Sequence, residues 1–283
     1  MRRPVKIGVG VAASAALFAV AGLGIASMIE KRFIFYPDSA YVAPPEQYGL
    51  VAEDLWLDAA DGGRVHGWFV APVEGPPRAY VLFSHGNAGN ISGRLPVAAQ
   101  LVERGMAVLL YDYRGYGQSP GAPSEEGLYH DGEAALAELV RRAGDPSRVV
   151  LYGRSLGGGV SWELALRHPE LAGIVSDCTF TSVPEMAARV IPLPMIGAFV
   201  RTRLANRDKV GRVTLPKLLF HGTDDELIPF TMGEELHAAA RPPAEFVPLP
   251  GAGHNDTPFV DPELYFDRFE AFVERVVEDA TTR

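Results

Sequence analysis

Two serines are each flanked by glycines two residues before and after: Ser155 in Gly153-Arg154-Ser155-Leu156-Gly157 and Ser119 in Gly117-Gln118-Ser119-Pro120-Gly121. A serine hydroxyl is a poor nucleophile until a base takes its proton, and it meets substrate best on a sharp turn from strand to helix. Side chains at the flanking positions would collide where strand and helix approach, so glycines fit such a turn. Ser155 has the full context, an apolar run ending at Tyr152 before it and a helical pattern from Leu156 after it. A serine capping the helix would fit the same place, but the strand before it and the paired glycines favour the nucleophile. Ser119 lacks the context. Pro120 has no N–H to offer an oxyanion, and Gly121-Ala122-Pro123 cannot start a helix.

The base must be a histidine, oriented in turn by a carboxylate. His254, in Gly251-Ala252-Gly253-His254-Asn255-Asp256, follows the apolar run Phe246–Leu249, and His221-Gly222-Thr223-Asp224-Asp225 follows Leu218–Phe220. His254 is therefore the base, and the second motif supplies the acid from one of two adjacent aspartates. Alternation at a strand end keeps both from reaching the imidazole. The other histidines read more simply: His66, His130, His168 and His237 as core or surface residues, and His85 and His221 as bonded to local backbone. The loop His85-Gly86-Asn87-Ala88-Gly89-Asn90 follows the run Tyr80–Phe83. We expect the backbone N–H groups of Asn87 and Leu156 to form the oxyanion hole. Cys178, the only cysteine, has no glycine turn and reads as buried and structural. Asp112 and Arg114 read as an ion pair fixing their loop.

These residues need a scaffold, and the patterning supplies one. A hairpin-like opening, Val51–Leu57 and Val65–Val70 around Asp61-Gly62-Gly63, precedes apolar runs that alternate with helical patterns such as Glu125–Arg142 and Leu156–Arg167. Alternation of this kind implies a mostly parallel sheet flanked by helices, with its site beyond the carboxyl ends of the strands. The chain has 283 residues, 47% hydrophobic and 22% charged, enough for one packed domain and too apolar for disorder. Its net charge of −9 argues against a nucleic-acid partner.

Ile7–Ile29 contains no charged residue, is preceded by Arg2, Arg3 and Lys6, and as a helix would extend roughly 35 Å, enough to cross a bilayer core. It is longer than a signal-peptide core, so a retained transmembrane helix is expected, although Gly24-Ile25-Ala26 would suit a cleavage site. The excess of positive charge before the run over Lys31 and Arg32 after it places the N-terminus in the cytoplasm and the body outside. The organisation is then an anchor with its flanks over residues 1–32 and a globular domain over 33–283.

Six motifs carry a resemblance: Phe33-Ile34-Phe35-Tyr36-Pro37, SHGNAGN at Ser84–Asn90, YDYRGYGQSPG at Tyr111–Gly121, GRSLGGG at Gly153–Gly159, HGTDDELIP at His221–Pro229 and GAGHND at Gly251–Asp256. With them the chain resembles the single-pass, membrane-anchored serine hydrolases of the abhydrolase-domain type, within the α/β-hydrolase superfamily. The resemblance implies the α/β-hydrolase fold and an esterase or thioesterase. It puts Ser155, Asp225 and His254 at the family's catalytic positions, in the chain order serine, acid, histidine. It takes the acid to be Asp225, four residues after His221.

Between Cys178 and Leu215 an insertion, about 179–214, carries Met186, Ile191, Leu193, Met195 and Phe199 and suits a small apolar cap over an acyl chain. Arg189, Arg201, Arg203 and Arg207 in it read as a solvated basic face, with a carboxylate or lipid headgroup as the alternative. The expected chemistry is hydrolysis of carboxylic or thio esters of a small-molecule or lipid-like acyl substrate through an acyl-enzyme, needing no metal or organic cofactor. A peptidase of the same fold, or a catalytically silent membrane scaffold, are the alternatives.

Overall fold

A computed structural model describes residues 34–190 and 200–282. The expected anchor, Ile7–Ile29, and part of the expected cap, 191–199, lie outside them. No helix among the described residues is long and apolar enough to cross a membrane.

From Pro37 onward the chain forms one unit around an eight-stranded sheet in the order β1-β2-β4-β3-β5-β6-β7-β8. The strands are β1 (Ala52–Asp58), β2 (Arg64–Val70), β3 (Ala79–Ser84), β4 (Met106–Tyr111), β5 (Val149–Arg154), β6 (Gly173–Asp177), β7 (Lys217–Gly222) and β8 (Ala244–Leu249). β1 and β2 form the expected hairpin, β2 also runs antiparallel to β4, and all remaining neighbours are parallel. β3 through β7 are buried at every residue, which is why their sequences read as unbroken apolar runs.

Both faces are covered. Val81, Val108, Val150, Val175, Leu218 and Val247 share one apolar cluster with α1 (Leu95–Glu103) and α8 (Pro262–Thr281). α8 forms because Tyr265, Phe266, Phe269, Phe272, Val273 and Val276 recur at helical spacing and bury one stripe. Each such aromatic contributes on the order of 1.5–3 kcal/mol over its exposed state. Its start is fixed by Asp261, whose side chain accepts from Leu264 N–H at 3.0 Å. α2 (Glu125–Ala143) and α3 (Leu156–Arg167) pack on the sheet and on each other. α2 comes so close that a Cβ on Gly132 would lie 2.7 Å from Val160 Cγ1.

The strand order fixes where a ligand can enter. From β3 the chain steps to β4 on one side and then to β5 on the other, so the loops after β3 and β5 leave in opposite directions and open a crevice between them. The loop after β3 begins at His85 and the one after β5 at Ser155. The ends of β7 and β8 deliver Asp225 and His254 to the same edge of the sheet.

The turn after β5 is packed closely against backbone. A Cβ on Gly157 would fall 1.9 Å from the Ser84 carbonyl oxygen and 2.6 Å from that of His85, both backbone atoms that cannot rotate away. A Cβ on Gly153 would lie 2.6 Å from Ser161 Oγ. Gly157→Ala is therefore expected to destabilise by about 3 kcal/mol. Gly93→Ala, where nothing lies within 4 Å, should change stability by less than about 0.5 kcal/mol. Urea midpoints at constant m-value check both.

Candidate active site

Ser155 is held at φ +52° and ψ −116°, a left-handed conformation rare for any residue but glycine. Backbone hydrogen bonds maintain the strain: Ser155 N–H donates to Asp177 O at 2.9 Å, and Gly158 N–H donates to Ser155 O at 3.0 Å. The half-buried hydroxyl stands at the start of α3, where the helix dipole favours developing negative charge.

His254 lies within reach. Its Nδ1 is 2.8 Å from Asp225 Oδ2 and its Nε2 is 3.1 Å from Ser155 Oγ. A carboxylate can only accept, so Nδ1 carries the proton and Nε2 turns its lone pair toward the serine hydroxyl. Asp225 is fixed in turn, its Oδ1 accepting N–H bonds from Leu227 at 2.9 Å and Ile228 at 2.7 Å. Burial alone would raise its carboxyl pKa, but the His254 bond and charge, the Ile228 N–H and the Cys178 thiol together hold it below the ordinary value. Asp224 is exposed and, among the described residues, accepts from Thr223 Oγ1 at 3.1 Å. Such a chain can take a proton from a hydroxyl and return it to a leaving group.

The loop 85–90 lies beside Ser155, since a Cβ on Gly86 would sit 3.3 Å from Ser155 Cβ. Asn87 Oδ1 accepts from Ala88 N–H at 3.0 Å and from Tyr116 O–H at 2.8 Å, and Tyr113 O–H donates to His85 O at 2.8 Å. The Tyr111–Gly121 motif thus braces this loop.

The ion pair expected between Asp112 and Arg114 is not formed. Arg114 donates instead to Asp131 (2.7 Å) and Asp61 (2.7 Å), and the fully buried Asp112 accepts from Tyr41 O–H (2.9 Å) and Ile91 N–H (2.9 Å). Both residues lie past the end of β4, and their side chains find partners in different parts of the chain. The cap arginines are not simply a solvated face either. Arg207 pairs with Glu185 at 3.0 Å and with Glu235, and Arg189 lies 3.6 Å from Glu235. Ser119 is buried as a structural residue, its Oγ accepting from His66 N–H and donating to Asp112 O, each at 2.9 Å.

Cys178 is buried, and burial with the charges of Asp177 and Asp225 pushes its thiol pKa well up, so it is no thiolate nucleophile. Cys178, His221 and Asp225 bring ligand-type atoms within 4.8 Å of one another. His221 Nε2 donates to Ile228 O at 2.8 Å, however, and its Nδ1 faces Gly233 of α6 (Phe230–Ala239), so its imidazole has no lone pair to give a metal there.

The sequence reading missed what holds the histidine loop. Glu226 Oε2 accepts from His254 N–H at 3.1 Å, and Asp256 Oδ1 accepts from Gly253 N–H at 2.7 Å. On the carbonyl side, Arg154 Nη2 donates to His254 O, and its Nε lies 3.2 Å from Asp177 Oδ2. The available signal was a charged residue at the end of an otherwise apolar strand, where it must be buried.

A family model described as "Serine aminopeptidase, S33" matches residues 75–207. The alpha/beta hydrolase domain-containing protein WAV2 of Arabidopsis thaliana is 31% identical over 280 residues, spanning 90% of this chain and 91% of that protein. An uncharacterized protein of Mycobacterium tuberculosis is 34% identical over 262 residues, 91% of this chain and 93% of its own length. Among solved structures, an esterase of Pyrococcus furiosus superposes with a TM-score of 0.72 at 19% identity, covering 86% of this chain and 98% of that one, a likeness of fold. Its fold and its relatives together make the chain a member of the α/β-hydrolase family.

Proposed function

We propose that the protein is a serine hydrolase that cleaves carboxylic or thio esters through an acyl-enzyme, with Ser155 as nucleophile, His254 as base and Asp225 as the orienting acid. The observation that carries this reading is the hydrogen-bonded chain from Ser155 Oγ to His254 Nε2 (3.1 Å) and from His254 Nδ1 to Asp225 Oδ2 (2.8 Å), ending on a serine held at φ +52°. In the reaction, Ser155 Oγ attacks the carbonyl carbon and its proton passes to His254 Nε2. The oxygen that gains the electron pair is stabilised by the backbone N–H groups of Asn87 and Leu156. His254 then returns the proton to the leaving alcohol or thiol. Water, deprotonated by the same nitrogen, releases the acid and restores Ser155.

An amide substrate is the second reading, favoured by the serine aminopeptidase description of the matching family model. We further propose that Ile7–Ile29 tethers the protein to a membrane as a single span with the hydrolase body on the non-cytoplasmic side, on the strength of its uncharged length and basic flank.

Turnover of p-nitrophenyl esters, acyl thioesters and dipeptide amides by the full-length protein tests the reaction class. Ester or thioester turnover at least tenfold above amide turnover is expected, and the reverse order would favour the peptidase. Ser155→Ala should lower kcat by up to about 10⁶, whereas Ser119→Ala should lose about 1–3 kcal/mol of stability and keep the folded protein's kcat within about threefold. Asp225→Asn should cost about 10⁴ in kcat, because the amide oxygen keeps the Leu227 and Ile228 N–H bonds while its NH₂ faces Nδ1 and imposes the wrong tautomer. Asp224→Asn should cost less than about tenfold, and steady-state rates on one ester, with circular dichroism to check folding, decide between them. For the tether, full-length protein should stay in the membrane pellet after carbonate extraction; release into the supernatant would argue for a cleaved leader.

A further inference from the structure

Arg154 precedes the proposed nucleophile, and in the β5–β6 ladder it stands beside Asp177. Both are buried, Arg154 7% exposed and Asp177 0%. An arginine in such a place loses its hydration, so its contacts show what the placement achieves. One edge of the guanidinium meets Asp177, with Nε 3.2 Å from Oδ2. The other edge, Nη2, donates to the backbone carbonyl of His254. Asp177 is itself immobilised, since Oδ2 also accepts from Thr257 O–H at 3.0 Å and Tyr265 O–H at 3.1 Å.

We propose that Arg154 is a positioning residue that sets the distance between Ser155 and His254, with Asp177 as its buried counter-ion. The inference rests on the reading of Ser155 and His254 as nucleophile and base. Its geometric basis is that the Arg154 backbone is continuous with Ser155 while its side chain ends on the backbone of His254. The proposed base is thereby tied to the strand that carries the proposed nucleophile, independently of the Asp225 bond to the imidazole. On the other flank of the peptide the His254 N–H donates to the exposed Glu226. A planar guanidinium can face a carboxylate as an ion pair with one edge and donate to a carbonyl with the other, whereas the single ammonium of lysine cannot reproduce the two separated contacts. Loss of the tie lets the histidine loop move, and a displacement of about 1 Å at reacting groups costs about 10²-fold in rate.

The test compares Arg154→Lys and the double variant Arg154→Met/Asp177→Leu in the full-length protein. The second replaces the buried pair by apolar groups of similar size, an exchange that preserves folding in other buried ion pairs. Both variants should show kcat and the rate of fluorophosphonate labelling reduced by about 10²-fold, with KM within about threefold. Leu139→Ala, a core truncation on α2 away from the site, should lower the melting temperature but leave kcat within about twofold. A melting temperature restored in the double variant with kcat still low supports positioning over general stability. If both Arg154 variants keep kcat within twofold while Ser155→Ala is inactive, Arg154 has no positioning role and the proposal is overturned. Should Ser155→Ala remain active, the assignment of Ser155 fails, and this inference falls with it.

Discussion

The site depends on one close approach, the passage of the first turn of α3 against the ends of β3 and β5. It leaves no room for a Cβ at Gly157, which would meet the Ser84 carbonyl at 1.9 Å, and it forces Ser155 to φ +52°. Strain of this kind costs about 1–3 kcal/mol and persists only where the surroundings over-determine it. Here they do, because the Ser155 N–H is spent on Asp177 and its carbonyl on Gly158. The fully buried β5 and the anchored α3 leave the serine no relaxed alternative. One constraint thus exposes the hydroxyl, starts a helix beneath it and brings the loop after β3 alongside.

The groups around that turn divide into two carboxylate systems with different tasks. Asp225 ends on the imidazole and takes two backbone N–H groups on its other oxygen, an arrangement that keeps it ionised despite burial. Asp177 ends on Arg154, Thr257 and Tyr265, so it links β5, β6 and α8 (Pro262–Thr281) beneath the histidine loop. Buried charges are tolerable only when paired and hydrogen-bonded, which both are. The first fixes the ring of His254 and the second its backbone.

Much of this was legible in the sequence for a physical reason. Strands buried on both faces write themselves as short apolar runs, and in a parallel sheet chemistry gathers just after them, so Ser155, Asn87, Asp225 and His254 each followed a recognisable run. The sequence left Asp224 and Asp225 equivalent until resemblance chose between them, and the structure turns only Asp225 inward. Partners distant in the chain were not legible. Arg114 was matched with the nearby Asp112, yet its carboxylates come from a hairpin turn (Asp61) and a helix (Asp131), both distant in the chain. Arg154 escaped notice because no local pattern reveals that a carbonyl one hundred positions later will lie over it.

The segment between β6 and β7 shows the same limit. Its arginines were open to a headgroup or to solvent on sequence grounds, but Arg207 is held by Glu185 and Glu235, and the N–H groups of Arg203 and Leu204 end on Glu125 of α2 at 2.6 and 2.8 Å. The returning arm of the segment is therefore pinned to α2, and its entering helix, Val183–Val190, is linked through Arg207 to α6. The side-chain charges of Arg189 and Arg207 thus serve attachment within the fold, and a basic residue in a loop is not by itself a sign of a ligand.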